Sequence, residues 1–183
     1  QPDFIGLIFH EKSPRNVVEV PNIEFPTEIT KVGVFVNKGF DFIIQKANDF
    51  RLNAIQLHGT ETSVFCDKIK KTGKKVIKAF NIHPEFDFSK LEEYTPYCDY
   101  FLFDAFGQHA GGHGITFDWK LLNKYNGKTP FILSGGIEET MAKNLKEINH
   151  PMFKGIDINS KFEIEPGLKN IEKIKTFKNE LHS

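Results

Sequence analysis

The residues of this chain that could do chemistry are polar side chains and glycines that directly follow short apolar runs. Asp104 ends one such run and precedes the glycine-rich segment Gly107–Gly114. A carboxylate at the end of a strand, beside a loop able to close over it, is well placed for proton transfer. An Asp that caps a turn would have the same local sequence. The position alone therefore leaves both interpretations open.

Glycines and small polar residues in the last third of the chain indicate phosphate binding. Ser134-Gly135-Gly136 follows an apolar run and opens a predicted helix, and Asn159-Ser160 follows the last apolar run. Phosphate binding needs backbone N–H groups at close approach and the positive end of a helix, and glycine permits that approach. Barrel folds often build such a site from the loops after their last two strands. Two ordinary tight turns are the alternative.

Three further features each allow a functional interpretation and a plainer one. Arg15 could bind a carboxylate or phosphate with both arms of its guanidinium group, or lie at the surface. Lys78, inside an apolar run, could form a Schiff base or pair with a nearby acid. His109 and His113 have a spacing that binds metals on a helix. Because four glycines interrupt this segment, a helix is unfavourable there, and we predict no metal.

Composition and cysteine usage narrow the class of protein. The chain has 183 residues, with 24 Lys and Arg against 24 Asp and Glu. This balance argues against nucleic-acid or membrane-surface binding, since both need an excess of positive charge. Cys66 and Cys98 are too few for a disulfide framework and fit a reducing compartment, so we predict a cytoplasmic protein. Neither cysteine ends a predicted strand, and both are interpreted as small buried apolar residues.

Short apolar runs that end at polar or glycine residues predict seven strands buried on both faces. They are Phe4–Phe9, Lys31–Val36, Ala54–Leu57, Lys75–Ala79, Tyr100–Phe103, Phe131–Leu133 and Lys154–Ile158. Helical spacing lies between most of them, at Gly39–Phe50, Glu61–Thr72, Phe88–Tyr94, Trp119–Tyr125, Glu138–Ile148 and Leu168–Leu181. This alternation predicts parallel βαβ units. In a parallel barrel, the polar residues described above would meet at one rim.

The number of strands suits either an open doubly wound sheet or a closed barrel. A (β/α)8 barrel has eight strands and typically about 250 residues, with a minimum of about 200. A further strand–helix unit of roughly 20 residues ahead of Gln1 would supply the eighth strand and bring the length to the minimum for a barrel. The count alone leaves both architectures open.

Several segments, taken in order, form a pattern that spans essentially the whole chain. They are Phe4–Phe9 with Ser13-Pro14-Arg15, Lys31–Asn37, Ile55–Gly59, Val76–Ala79, Asp104 with Gly111–Trp119, Leu133–Gly136 and Gly155–Ser160, followed by Glu163, Pro166, Gly167 and Lys169. This set resembles the phosphoribosylanthranilate isomerases, a family of tryptophan-biosynthesis enzymes. The Ser-Gly-Gly segment alone would be a weak match, whereas the ordered set is specific.

The resemblance implies a fold, a reaction and a set of site residues. The family has the (β/α)8 TIM barrel, so we expect residues 1–183 to form one barrel domain whose N-terminal strand–helix unit is absent from this sequence. Its members catalyse a cofactor-free and metal-free Amadori rearrangement of N-(5′-phosphoribosyl)anthranilate. By resemblance, Asp104 is the general acid and Arg15 binds the anthranilate carboxylate. The phosphate would lie against Gly135, Gly136, Asn159 and Ser160. A monomer or homodimer acting on a phosphorylated small molecule is expected.

Two departures from the family pattern qualify these expectations. The family's base is a Cys in a Cys-Gly motif at the end of the first strand, and residues 1–183 contain no such motif. Lys161 stands where the family usually has Gly, which puts the local backbone conformation in question. Two alternative functions also stay open: an inactive barrel that binds a phosphorylated metabolite, and a Schiff-base aldolase that uses Lys78.

Overall fold

The computed structural model describes residues 1–19, 25–105 and 119–183. The chain divides into two compact units. The first comprises Gln1–Ala79 and Glu93–Tyr100, and the second comprises Phe80–Glu92 and Phe101–Ser183. Each unit is built on parallel strands that follow one another in chain order. In the described part of the chain, no helix has the length and apolar character needed to cross a membrane.

The first unit alternates strands and helices. Its strands are β1 (Phe4–Phe9), β2 (Thr30–Phe35), β3 (Ala54–Leu57) and, as far as Ala79, β4 (Lys75–Asn81). Its helices are α1 (Phe40–Asp49) and α2 (Ser63–Lys70). Consecutive strands pair in parallel. All four residues of β3 are buried, as expected for a strand covered on both faces. The Thr62 hydroxyl accepts from the Phe65 N–H at 3.3 Å and so caps α2.

The second unit has shorter helices and a hairpin that the sequence did not predict. Its strands are β5 (Tyr100–Asp104), which belongs to this unit from Phe101 onward, β6 (Phe131–Ser134) and β7 (Phe153–Ile156). The antiparallel pair β8 (Glu163–Glu165) and β9 (Leu168–Lys169) follows. The α-helices are α3 (Ala142–Lys146) and α4 (Ile171–His182). Short 3₁₀ segments occupy Phe88–Tyr94, Trp119–Lys124, Glu139–Met141 and Ser160–Phe162.

Phenylalanine fills the core of the second unit. Phe101, Phe103 and Phe131 are all fully buried, and the Phe103 and Phe131 rings stack with centroids 4.7 Å apart. Tyr125 packs edge-on against Phe103 at 5.3 Å. Its hydroxyl donates to the Thr129 carbonyl at 2.7 Å, which satisfies the buried polar group. With Phe162 and Phe177, these are the five buried Phe residues among the described residues of this unit.

The seven predicted strands are confirmed, with ends that shift by at most two residues. The helix predictions are less accurate. Phe88–Tyr94 and the segment from Trp119 are 3₁₀ rather than α-helical, and the predicted helix Glu138–Ile148 is a 3₁₀ turn followed by the five-residue α3. The last predicted helix starts late, because Lys169 pairs with Glu163 in the hairpin. Asn170 then caps α4 by accepting from the Lys173 N–H at 3.0 Å.

Candidate active site

Asp104 ends β5 in the second unit, and its backbone is hydrogen-bonded on both sides. It lies in register with Ser134 of β6, and the next N–H, of Ala105, donates to the Ser134 carbonyl at 3.0 Å. The Asp104 carbonyl accepts from the Ile82 N–H at 2.9 Å. The side chain is half-buried. These bonds fix the backbone from which the Asp104 carboxyl group extends, at the carboxyl end of the strand.

Asp157 is a second carboxylate at the carboxyl ends of these strands. The Ser134 hydroxyl donates to Asp157 Oδ2 at 3.1 Å, and the Asp157 N–H donates to the Leu133 carbonyl at 2.8 Å. Asp104 and Asp157 therefore follow β5 and β7, on the two sides of β6. Asp157 was not predicted as a site residue. Its signal in the sequence was an acidic residue inside the predicted strand Lys154–Ile158.

Gly135 and Gly136 turn the chain directly after β6. Their φ angles are 93° and 65°, a left-handed conformation that glycine adopts at little cost and that other residues rarely adopt. The prediction that these glycines open a helix is wrong, since α3 begins only at Ala142. A phosphate group here would depend on close approach to backbone N–H groups, without the dipole of a following long helix.

Asn159 and Ser160 lie in the loop after β7. Ser160 begins a 3₁₀ turn whose last residue, Phe162, is fully buried against Phe177 of α4 with ring centroids 4.8 Å apart. This anchor holds the loop while leaving Ser160 exposed and Asn159 half-buried. Both predicted phosphate-binding positions thus follow the strand next to β6.

Lys161 fits this turn without a left-handed backbone. Among the described non-glycine residues, positive φ angles occur at Asn37 and Arg51 and not at Lys161. Its side chain is exposed, and its carbonyl accepts from Lys173 Nζ at 2.6 Å. The replacement of the family's usual Gly therefore leaves the turn intact.

Arg15 lies in the first unit, in a loop that folds back beside β1. The Ser13 N–H donates to the His10 carbonyl at 2.8 Å, and the Val17 N–H donates to the Ile8 carbonyl at 2.8 Å. The Ser13 hydroxyl accepts from the Arg15 N–H at 3.1 Å. These bonds fix the Arg15 backbone near the carboxyl end of β1, and its side chain is half-buried.

Lys78 of β4 is a buried structural lysine. Its Nζ donates to the carbonyls of Leu57, Gly59 and Ala79 at 3.2, 2.8 and 2.9 Å, and Glu61 Oε2 lies 3.4 Å away. Burial lowers the pKa of the Lys78 ammonium, and the Glu61 carboxylate opposes this shift. Because an ammonium group has three donors and the residue is 2% exposed, a carbonyl substrate has no access to it. The pairing with an acid is confirmed, and this geometry disfavours the Schiff-base alternative.

The remaining candidate residues are the two cysteines and the side chains that could hold a metal ion. Cys66 and Cys98 are free and buried, as predicted, and the hydrogen bond between them raises the pKa of the Cys98 thiol. Among residues 1–19, 25–105 and 119–183, no three His, Cys, Asp or Glu side chains are grouped to hold a metal ion. His109 and His113 lie outside the described residues.

The chain matches known proteins along almost its whole length. The model of the N-(5′-phosphoribosyl)anthranilate isomerase family matches residues 1–180. The chain belongs to this family. The isomerase of Parabacteroides distasonis is 46% identical over an alignment of 180 residues that covers 96% of this chain and 81% of that protein.

Solved structures of phosphoribosylanthranilate isomerases share the fold. The enzyme of Thermotoga maritima has a TM-score of 0.82 at 31% identity, covering 98% of this chain and 88% of its own. Another such isomerase, solved with reduced 1-(o-carboxyphenylamino)-1-deoxyribulose 5-phosphate, has a TM-score of 0.79 at 29% identity, covering 98% and 87%. The predicted (β/α)8-barrel class is thereby confirmed. The roles of individual isomerase-family residues stay predictions.

Proposed function

We propose that the protein is a phosphoribosylanthranilate isomerase of tryptophan biosynthesis. It converts N-(5′-phosphoribosyl)anthranilate into 1-(2-carboxyphenylamino)-1-deoxyribulose 5-phosphate. The observation that carries this proposal is the position of Asp104, which ends β5 in register with Ser134 and so beside the turn at Gly135 and Gly136. An acid beside a glycine turn that would bind the phosphate, at neighbouring strand ends, matches what the family's substrate requires. Membership of the family, at 46% identity to a named isomerase, supports the same reaction.

In this reaction, Asp104 serves as the general acid. It donates its proton to the ribose ring oxygen, the C1′–O bond breaks, and the ring opens to an iminium ion. A base then removes the C2′ proton to give an enolamine, which tautomerises to the ketone product. We assign the base to neither Cys66 nor Cys98, because both are buried and neither follows a strand.

The remaining site residues bind the two ends of the substrate. We propose that the Arg15 guanidinium group binds the anthranilate carboxylate, a contact that suits its planar geometry. Backbone N–H groups at Gly135 and Gly136, together with Asn159 and Ser160, would bind the phosphate. Binding energy from the phosphate group, which does not react, would hold the ribose ring against the acid.

The substitution Asp104→Asn in the intact protein tests the proposal. We expect kcat for conversion of the phosphoribosyl substrate, followed by chromatography of substrate and product, to fall more than about 100-fold, the low end for general acid catalysis. KM should change little, because the amide keeps the shape of the carboxyl group. The matched control is Asp67→Asn, which alters an exposed ion pair between Asp67 of α2 and Lys71, the residue that follows this helix.

Each outcome of this assay has a definite meaning. Normal turnover by Asp104→Asn would remove the acid assignment. If the wild-type protein binds reduced 1-(o-carboxyphenylamino)-1-deoxyribulose 5-phosphate but does not convert the substrate, the result would favour an inactive barrel that binds a phosphorylated metabolite.

We also propose that the protein acts in the cytoplasm as a monomer or homodimer. The free thiols of Cys66 and Cys98 support a reducing compartment. Sedimentation velocity of the intact protein tests the oligomeric state, and a tetramer or larger assembly would contradict this proposal.

A further inference from the structure

One lysine connects the loop after β7 with the hairpin that follows it. Lys169 of β9 lies opposite Glu163 of β8, and its Nζ donates to Glu163 Oε1 at 2.8 Å. The same Nζ donates to Asn159 Oδ1 at 2.6 Å. All three side chains belong to the second unit.

The hairpin, and not Asn159, determines where the Lys169 ammonium lies. The Glu163 side chain is 3% exposed, and its Oε1 also accepts from the Gly167 N–H at 3.2 Å. Gly167 has a φ of 89°, which closes the turn between the two strands. A buried carboxylate needs a counter-charge, and Lys169 provides it. The ammonium is therefore held by Glu163 whether or not a ligand is bound.

This arrangement selects one orientation of the Asn159 amide. An amide side chain has an acceptor end, Oδ1, and a donor end, Nδ2, and rotation about its last torsion exchanges them. An ammonium group only donates, so Oδ1 must face Lys169 and Nδ2 must point away from it. A phosphate dianion only accepts hydrogen bonds. It is bound by Nδ2 and repelled by Oδ1.

We propose that Lys169 is a positioning residue that orients the Asn159 amide so that its Nδ2 donates to the phosphate group of the substrate. This inference rests on the proposed function, which takes the loop after β7 as phosphate-binding. Lys169 acts through Asn159, since Glu163 already balances its charge. The effect is thus specific to the phosphate end of the ligand.

Calorimetric titration of the intact protein with two probes tests this role. The probes are reduced 1-(o-carboxyphenylamino)-1-deoxyribulose 5-phosphate and the same compound without its phosphate. For Lys169→Met, we expect Kd of the phosphorylated probe to rise about tenfold, the scale of one hydrogen bond to a charged group. Kd of the dephosphorylated probe should not change. The matched control is Lys175→Met, which removes an exposed lysine of α4 that pairs with Glu172.

A double-mutant cycle separates positioning from a general structural effect. Asn159→Ala should raise Kd of the phosphorylated probe to a similar extent. Adding Lys169→Met to this variant should cause no further loss of affinity. Because Lys169→Met leaves the Glu163 carboxylate buried without its counter-charge, the variant Glu163→Gln/Lys169→Met is measured as well. It removes both charges and should show the same tenfold loss.

Three results would overturn the positioning role. They are an equal loss of affinity for both probes, additive effects of the Lys169 and Asn159 substitutions, and an unchanged Kd for the phosphorylated probe. If wild type binds this probe and shows the expected cycle but does not convert the substrate, the proposed function fails and the positioning role stands. If wild type converts the substrate but the cycle is additive, only the positioning role fails.

Discussion

Glu61→Gln in the first unit removes the negative partner of a buried ion pair while keeping the size of the side chain. Glu61 Oε1 accepts from the Asn37 N–H at 2.7 Å, and Oε2 accepts from the Gly59 N–H at 2.9 Å. Lys78 Nζ lies 3.4 Å from Oε2. The glutamine has one acceptor oxygen for these two N–H groups, so one of them faces an NH₂ group. The Lys78 ammonium also loses its counter-charge.

The size of the effect follows from burial. The Lys78 and Glu61 side chains are 3% and 4% exposed, and removal of one partner from such a pair costs about 3–5 kcal/mol. The free energy of unfolding of a protein is about 5–15 kcal/mol, so this loss is a large share of it. The exposed pair of Lys175 with Glu172 on α4 provides the matched control, since Glu172→Gln should leave the unfolding midpoint unchanged.

The loss should also depend on pH. Burial lowers the pKa of folded Lys78, and Glu61 raises it in part, so Glu61→Gln lowers it further. Between this folded pKa and the unfolded value of about 10.4, the unfolded chain binds more protons. Stability therefore rises with pH in that window. We expect the difference between wild type and Glu61→Gln to be largest near pH 7 and to shrink towards pH 10.

Urea unfolding of the intact protein at pH 7 and pH 9.5 measures both effects. The double variant Glu61→Gln/Lys78→Met, which has no buried charge at this position, should recover part of the stability. A loss below about 1 kcal/mol at pH 7, or a loss that does not change with pH, would refute the reasoning. The first result would mean that water reaches the pair, and the second that Lys78 does not titrate.

Two further substitutions test the role of Arg15 in binding and the packing of Gly59 against Asn37. Arg15→Ala should raise KM for the phosphoribosyl substrate at least tenfold, by loss of a charge-assisted contact with the anthranilate carboxylate, and an unchanged KM in steady-state kinetics would remove that role. Gly59→Ala should lower the urea midpoint, because its Cβ would overlap the Asn37 side chain and lie 2.9 Å from the Asn37 backbone nitrogen. A midpoint equal to that of wild type would show that the loop shifts at no cost.

The strands were predictable because burial on both faces leaves a continuous apolar run in the sequence. The predicted and observed bounds of β1 and β3 coincide. The hairpin of β8 and β9 was not predictable in this way, because Ile164 and Leu168 are exposed and the pairing depends on Glu163 and Lys169. Short exposed strands held by charged side chains have no apolar pattern.

The positions of the candidate site residues were predictable, but the partners of their side chains were not. Asp104 and Gly135 follow strands that the apolar runs predict. In contrast, the bond from Ser134 to Asp157 joins residues 23 positions apart, and no spacing rule connects them. Register between strands brings such residues together, and register is a property of the folded sheet.

Lys78 and Lys169 show why residue type alone does not predict the chemistry of a side chain. Lys78 and Lys169 both lie within strands, where a lysine suggests a nucleophile or an anion ligand. In both residues the Nζ instead contacts oxygen acceptors of the protein. Lys78 donates to three carbonyls and lies near a carboxylate. Lys169 donates to an amide oxygen and a carboxylate. A nucleophilic lysine must lose a proton and reach its substrate, so the number of acceptors around its Nζ decides its role. That number depends on tertiary contacts, and for both residues it indicates that the lysine holds the groups around it and does not react.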